Sequence, residues 1–462
     1  MKICLVTSFP PSGRQLNEYA FYIARELRRD PRINLTILAD QLDNYEFATD
    51  GNGNPLAADR GELPGFQVVR CWAFNNLASP FRLLRAIRQI KPDVVWFNLV
   101  FSTFATPDHP VAAFAGLCVP ALSRGLGCYA HVTLHHILEH VDFAGAGVRQ
   151  DGIFRLGSEL ATRALLKANS VTVLLSAYQR TLLAKYSAQN ILLGTHGVFA
   201  SRPSAPDFSR RGNPDHRILA IGHWGTYKRL ETLIEAFPEV LRRIPNARLV
   251  IAGANHHTKP GYWESIRDLQ KENSRIDFLG YVAEGDIADL FRSSSVVVMP
   301  YDSATGSSGP AHQACEFGVP MVCADIPDFR TMAADEEMAI SFYKTGNGAD
   351  LAEKLAVLLG SRELQRQMAE QNFSAAVRMT MPNVVRNYLR WFELAERRRA
   401  LGSTSELQTV RRSRSPLLPS GFRFFSAPAP SANAMANGAA VELRVRVVED
   451  KEIDGNAEPS TP

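Results

Sequence analysis

Cysteine is scarce in this 462-residue chain: six residues, at 4, 71, 118, 128, 315 and 323, with no Cys-x-x-Cys pair among them. That excludes zinc-ribbon spacing and a disulfide-dense scaffold, and it favours reduced structural thiols in the cytoplasm. Long apolar runs are absent too. The longest, Val111 to Leu122, contains Pro120 and is closed by Arg124, well short of the roughly 18 residues a membrane span requires. Burial in a core accounts for it, with peripheral contact at the inner face of a membrane left open. The opening Met1 to Ser8 is apolar but meets Phe9-Pro10-Pro11 at once. It is too short for the roughly 7 to 15 residue core of a signal peptide and reads as a buried first strand. A dominant charge is missing as well: 51 basic against 47 acidic residues leave +4, which gives no ground for a nucleic-acid partner. With 45% hydrophobic and 21% charged residues, wholesale disorder, collagen and coiled coil are excluded.

What is present is an alternation. Short β-rich apolar runs recur between longer helical patterns, the mark of βα units around parallel sheets buried on both faces. In the first half, strands are expected at Ile3 to Thr7, Leu35 to Leu38, Phe66 to Val69, Val94 to Phe97, Tyr129 to Leu134 and Val171 to Leu175. Helices are expected at Asn17 to Arg28, Pro80 to Gln89, Pro110 to Ser123 and Ser158 to Ala168, with Asp43 to Gly65 a surface excursion. At Ser201 to His216 the composition shifts to Pro, Ser, Arg and Asp without apolar periodicity, as in an interdomain linker. A second series follows, with strands at Ile218 to Ile221, Leu249 to Ala252, Ile276 to Leu279, Val296 to Met299 and Met321 to Ala324, and a helix at Leu230 to Ile244. The expected organisation is therefore α/β with two doubly wound, Rossmann-like domains. These are 1–200 and 217–380, joined by a linker at 201–216 and facing a cleft beyond the carboxyl ends of their strands. A helix at 381–401 should return to the first domain. The Ser-, Pro- and Ala-rich 402–462, with only Val441 to Val448 strand-like, reads as a largely disordered tail.

Three glycine-bearing loops follow expected strands and precede expected helices. In Ser8 to Arg14 (SFPPSGR) two prolines stiffen the turn and Gly13 lets the backbone approach a ligand; a plain strand-to-helix turn would serve equally. In Gly222 to Arg229 (GHWGTYKR), Lys228 and Arg229 arrive beside a helix N-terminus, where cations oppose the macrodipole. An anion such as a diphosphate would explain them; extension into solvent is the alternative. The third, within Met299 to Pro320, is the most specific. Gly306, Ser307, Ser308 and Gly309 offer successive backbone amides and two hydroxyls just before a helix opening near Pro310, a nest for phosphate or sugar oxygens.

These loops and their surroundings resemble the retaining GT-B glycosyltransferases of family 4, formerly group 1. Gly222 to Ala236 (GHWGTYKRLETLIEA) is similar to the family's glycine, lysine and helix, so the resemblance makes Lys228 the donor-diphosphate lysine. Ile276 to Tyr281 (IDFLGY) and Glu316 to Pro320 (EFGVP) look like the family's segments. In the first half, Ser8 to Gly13, Val132 to His135 (VTLH), Ser176 and His196-Gly197-Val198 match in order, over roughly residues 1 to 400. The departures are specific. The family's paired glutamates across the third loop fall on Thr305 and Gln313, its arginine in the second loop on His223, and its second first-loop glycine on Arg14. Gln313 retains the capacity to hydrogen-bond ribose hydroxyls.

His135 and His136 end an expected strand where the family's active-site histidine lies. With Glu139, His140 and Asp142 they also invite a zinc reading, since His136 and His140 are four apart. No further ligand can be placed, and the resemblance implies neither metal nor cofactor. It implies transfer of a hexosyl unit from a UDP- or GDP-sugar to a hydroxyl of a glycan or lipid-linked acceptor, with retention, in polysaccharide or glycoconjugate biosynthesis. His135, Lys228 and Thr305 would face the reacting atoms. Gly13, His223, Lys228, Arg229, Gly306, Ser307, Ser308, Gly309 and Gln313 would bind the donor. No carboxylate pair is visible for a hydrolase route. Two other readings stand beside it: a catalytically silent nucleotide-sugar-binding scaffold, suggested by the missing glutamates, and an NDP-sugar epimerase.

Overall fold

A computed structural model describes residues 1–12, 14–42, 65–106, 108–141, 152–208, 216–256, 259–303 and 306–403. Gly13, Thr305, Asp142, most of the 43–65 excursion, 209–215 of the linker and the tail from 404 onward lie outside the described residues.

The first sheet comprises β1 (Lys2–Thr7), β2 (Asn34–Asp40), β3 (Val68–Trp72), β4 (Val94–Leu99), β5 (Tyr129–Leu134), β6 (Ser170–Val173) and β7 (Ile191–Leu193). Its order is β3-β2-β1-β4-β5-β6-β7, parallel throughout. Between the strands run α1 (Asn17–Arg28), α2 (Ser79–Ile90), α3 (Pro110–Leu117), α4 (Val119–Gly125), α5 (Gly152–Leu165) and α6 (Ser176–Tyr186). The second sheet comprises β8 (Arg217–Trp224), β9 (Arg248–Asn255), β10 (Ile276–Gly280), β11 (Val296–Met299), β12 (Met321–Ala324) and β13 (Ile340–Tyr343), in the order β10-β9-β8-β11-β12-β13 and again parallel. Its helices are α7 (Glu231–Arg243), α8 (Tyr262–Leu269), α9 (Glu284–Arg292), α10 (Gly309–Glu316), α11 (Pro327–Glu336), α12 (Gly348–Gly360) and α13 (Arg362–Arg378), after which comes α14 (Met381–Ser403). Both sheets belong to one compact unit, Met1–Thr404.

Central strands such as β4 and β11 are buried along their whole length. This is why they read as continuous apolar runs rather than as alternation. The α/β class and the two doubly wound sheets stand as the sequence predicts, with local differences. The single helix expected over Pro110 to Ser123 is two. α3 ends at Leu117, and Pro120, which has no amide hydrogen to continue a helix, sits instead in the first turn of α4. The strand expected to reach Leu175 stops at Val173 so that Ser176 can open α6. The strand expected at Phe66 to Val69 lies at Val68–Trp72, on the sheet edge. The helix expected at Ser158 to Ala168 begins earlier and ends at Leu165. α14 includes Gly402 and Ser403, which the sequence assigns to the tail.

α14 returns to the first sheet. The Tyr388 ring lies 4.3 Å from that of Trp96, and Thr133 donates to the Tyr388 hydroxyl at 3.2 Å. The outgoing and returning chain segments run side by side: Val198 bridges to Thr380 and its amide donates to the Met379 carbonyl at 2.9 Å. Gly197 makes this approach possible. Its φ is +84°, and a Cβ there would stand 2.9 Å from the Met379 oxygen and 2.6 Å from Val384 Cγ2. Gly197→Ala is therefore expected to destabilise the chain by about 2 kcal/mol, read as a lowered midpoint in thermal or denaturant unfolding. An unchanged midpoint would show that the crossing does not depend on this glycine.

Candidate active site

In a doubly wound sheet the chain leaves in opposite directions at one pair of neighbouring strands, and ligands bind beyond their carboxyl ends. In the second sheet that pair is β8 and β11. The two loops singled out by sequence follow these strands and are joined by backbone: Lys228 bridges to Tyr301, and the Asp302 amide donates to the Tyr227 carbonyl at 2.9 Å. In the first sheet the pair is β1 and β4, with His135 just past the end of the adjacent β5.

The two cations of the second loop differ. Arg229 is exposed and already compensated, 2.9 Å from Glu231 and 3.7 Å from Asp302. Lys228 is half-buried, and its side chain runs beside Gly222, whose missing Cβ would lie 3.5 Å from Lys228 Cδ. Its Nζ stands 5.1 Å from the ring centre of Tyr301 and 5.8 Å from that of Tyr227. Burial alone would lower the ammonium's pKa, but the two tyrosine hydroxyls outweigh it and the net direction is upward. Lys228 therefore stays charged at neutral pH without a carboxylate partner among the described residues. Of the other donor-loop positions, His223 is exposed at the end of β8 and Gln313 is half-buried on α10.

In the third loop the Ser307 hydroxyl is shielded from solvent with no hydrogen-bond partner among the described residues. Ser308 is the N-cap of α10 and Gly309 its first residue. Gly306 departs from expectation: its amide is already taken, donating to Asp328 Oδ2 at 2.7 Å. Tyr178 of α6 donates to the same oxygen at 2.8 Å, and His140 Nδ1 lies 3.9 Å from the other.

His135 is held by a buried chain. Its Nε2 is 2.8 Å from Asn98 Oδ1, while Asn98 Nδ2 donates to Thr7 Oγ1 at 3.1 Å. Asn98 thus presents its carbonyl, so the proton sits on Nε2 and Nδ1 is the acceptor. The Tyr19 ring meets the imidazole edge-on at 4.7 Å. His196 packs 5.9 Å from His135 and 4.5 Å from His312, joining the two halves. His312 Nδ1 donates to the Ser308 carbonyl at 2.7 Å, and its Nε2 faces Glu336 at 2.9 Å as an ion pair. Burial opposes the charge on His312, yet Glu336 raises its pKa overall.

Of the residues that invite a zinc reading, Asp142 lies outside the described residues. His140 Nε2 pairs with Thr181 at 2.9 Å and Glu139 is bonded to Tyr186. No group of three or more His, Cys, Asp or Glu among the described residues is arranged to hold a metal. Sequence reading missed Asp328, Tyr178, Asn98 and Tyr301. Asn98 carried a signal, a lone amide in the apolar strand VVWFNL. Asp328 carried a weaker one, an acid opening the helix after a central strand.

Burial pushes the pKa of His131 and of His135 down to about 3 and that of His136 to about 4. These rings stay neutral when folded, whereas the unfolded chain protonates them below about 6.5. Stability should therefore fall as pH drops from 6.5 to 5, by about 2 kcal/mol for each of His131 and His135, with the raised pKa of His312 opposing. Denaturant midpoints across that window check this, and His131→Gln should flatten the slope. A midpoint independent of pH would contradict it.

Residues 215–361 match the family model described as glycosyl transferases group 1. An uncharacterised glycosyltransferase of Haemophilus influenzae is 21% identical over 323 residues, 68% of this chain and 83% of that protein. Sucrose-phosphate synthase from Thermosynechococcus elongatus shares the fold, with TM-score 0.65 at 14% identity over 87% of this chain and all of that one. HepE of Anabaena, solved in complex with UDP, also shares it, with TM-score 0.60 at 15% identity over 85% of this chain and 99% of that one. Residues 215–361, which span both loops of the second sheet, are thus similar to glycosyl transferases group 1, and the two parallel Rossmann-like sheets give the chain the GT-B glycosyltransferase fold.

Proposed function

We propose that the enzyme transfers a hexosyl unit from a nucleoside-diphosphate sugar to a hydroxyl of a glycan or lipid-linked acceptor, with retention at the anomeric carbon. The carrying observation is Lys228, a charged ammonium between Tyr227 and Tyr301 without a carboxylate partner among the described residues, on a loop whose backbone bridges to Tyr301 at the start of the loop that carries Ser307 to Gly309. The leaving group is a nucleoside diphosphate, and the chemical burden is the negative charge that grows on it as the glycosidic bond breaks. A fixed cation with aligned amides and hydroxyls meets that charge without reorganisation. UDP, found with HepE, is one candidate nucleotide and GDP another. Gln313 is suited to the ribose hydroxyls. His135, neutral and fixed by Asn98, would accept a hydrogen bond from the sugar or acceptor rather than attack as a nucleophile. Gly13, His223, Arg229, Gly306 and Thr305 complete the proposed donor site, Gly306 through its carbonyl and conformation since its amide is engaged. The reading requires no metal and no cofactor.

The finer setting is cytoplasmic, against the inner face of a membrane. All six cysteines are unpaired, in keeping with a reducing compartment. No helix among the described residues is long and apolar enough to cross a bilayer. α2, α3 and α4 contact one another and contain no Asp or Glu. Together they expose Phe81, Val111 and Leu122 beside Arg82, Arg85, Arg88 and Arg124, a pattern suited to anionic headgroups.

Two outcomes follow. By calorimetry, Lys228→Ala should weaken UDP or GDP binding by about tenfold or more; unchanged affinity for whichever nucleotide binds would remove the assigned role. The full chain should cosediment with phosphatidylglycerol vesicles at low salt but not with phosphatidylcholine, and replacing Arg82, Arg85 and Arg88 with Gln should reduce this severalfold. Equal partition to both vesicles would count against the membrane setting.

A further inference from the structure

Asp328 is 1% exposed, on the first turn of α11. One of its oxygens serves two donors that come from different halves of the molecule: the Gly306 amide of the third loop, at 2.7 Å, and the Tyr178 hydroxyl of α6, at 2.8 Å. A carboxylate removed from water is costly unless its lone pairs are filled. Each donor therefore makes the other's arrangement more favourable. Asp335 lies seven residues on, two turns along the same face of α11. Its Oδ2 accepts the Ser176 amide that opens α6, at 2.7 Å. α11 thus grips α6 at two points and the third loop at one. Gly306 is confined from its other side as well, since at φ +69° a Cβ would stand 3.0 Å from the His135 carbonyl oxygen.

We propose that Asp328 is a positioning residue that makes the shape of the donor loop conditional on docking of the two halves: Tyr178 must be in place for Asp328 to hold Gly306, and with it Ser307 and Ser308. The proposal rests on the reading of Gly306 to Gly309 as the donor loop. Thr305 and Gln313 leave that loop without the carboxylates its resemblance calls for. Asp328 brings one in from a different element, directed at a backbone amide rather than at the sugar. The device ties two requirements of transfer together. A loop shaped for the leaving diphosphate forms only when the first half, which carries His135, is docked, so water meets an incomplete site.

Tyr178→Phe removes one hydroxyl and Asp328→Asn replaces one acceptor oxygen with a donor. In the ligand-free full chain, hydrogen exchange read by mass spectrometry should speed up by about tenfold or more across Gly306 to Ser308 in either variant, and no further in the double variant. With the donor the enzyme turns over, kcat should fall by a similar factor while donor KM and the melting temperature stay close to the parent values. Unchanged exchange in Tyr178→Phe, or single effects that multiply in the double variant, would overturn the coupling. So would a rise in KM without a fall in kcat. Faster exchange with intact nucleotide affinity in Lys228→Ala would instead sink the donor-site reading and leave the coupling standing.

Discussion

Across the cleft the Gly306 backbone faces the carbonyl of His135, and a Cβ at Gly306 would stand only 3.0 Å from that oxygen. Much else depends on that contact. A parallel sheet ends its strands in loops on one edge only, and two such edges can form a cleft only if their loops approach without filling it. A glycine in the left-handed region lets the third loop turn against His135 while Ser308 stays within hydrogen-bond reach of Tyr301, to which Lys228 bridges. The loops of β8 and β11 are already fastened to each other by backbone bonds.

Electrostatically the site is simple. Of the second loop's two cations, Arg229 is compensated by Glu231 and Asp302, which leaves Lys228, held by the rings and hydroxyls of Tyr227 and Tyr301. His131, His135 and His136 contribute no charge at neutral pH, because burial keeps them neutral. His312 shifts the other way, its pKa raised despite burial by the Glu336 carboxylate 2.9 Å away. An overall +4 says nothing of this arrangement, in which the Lys228 ammonium has no carboxylate partner among the described residues and lies against Tyr227 and Tyr301.

The sheets were largely legible because strands buried on both faces are written as unbroken apolar runs: β5, β11 and β12 fall where the sequence places them. β7 and β13 were not, being short edge strands of three and four residues, and α6, with a mixed polar sequence, carries no clear amphipathic stripe. At the site, Lys228 and the Gly306 to Gly309 loop were legible through their places after strands. Asp328 was not, because its meaning lies in a tyrosine 150 positions away, and no local pattern records such a pairing. Nor could spacing distinguish Lys228 from Arg229; only the neighbouring Glu231 and Asp302, once folded, separate their roles.

The reaction proposed for this cleft is transfer of a sugar from a nucleotide to an acceptor hydroxyl. It is tested most directly by incubating the full chain with a panel of nucleotide sugars, with and without glycan and lipid-linked acceptors, and following all species by mass spectrometry. One nucleotide sugar should be consumed only when an acceptor is present, with release of one nucleoside diphosphate for each glycosylated product. An isomerised sugar nucleotide formed without acceptor would contradict it in favour of an epimerase, and binding without turnover of any panel member would contradict it in favour of a silent scaffold.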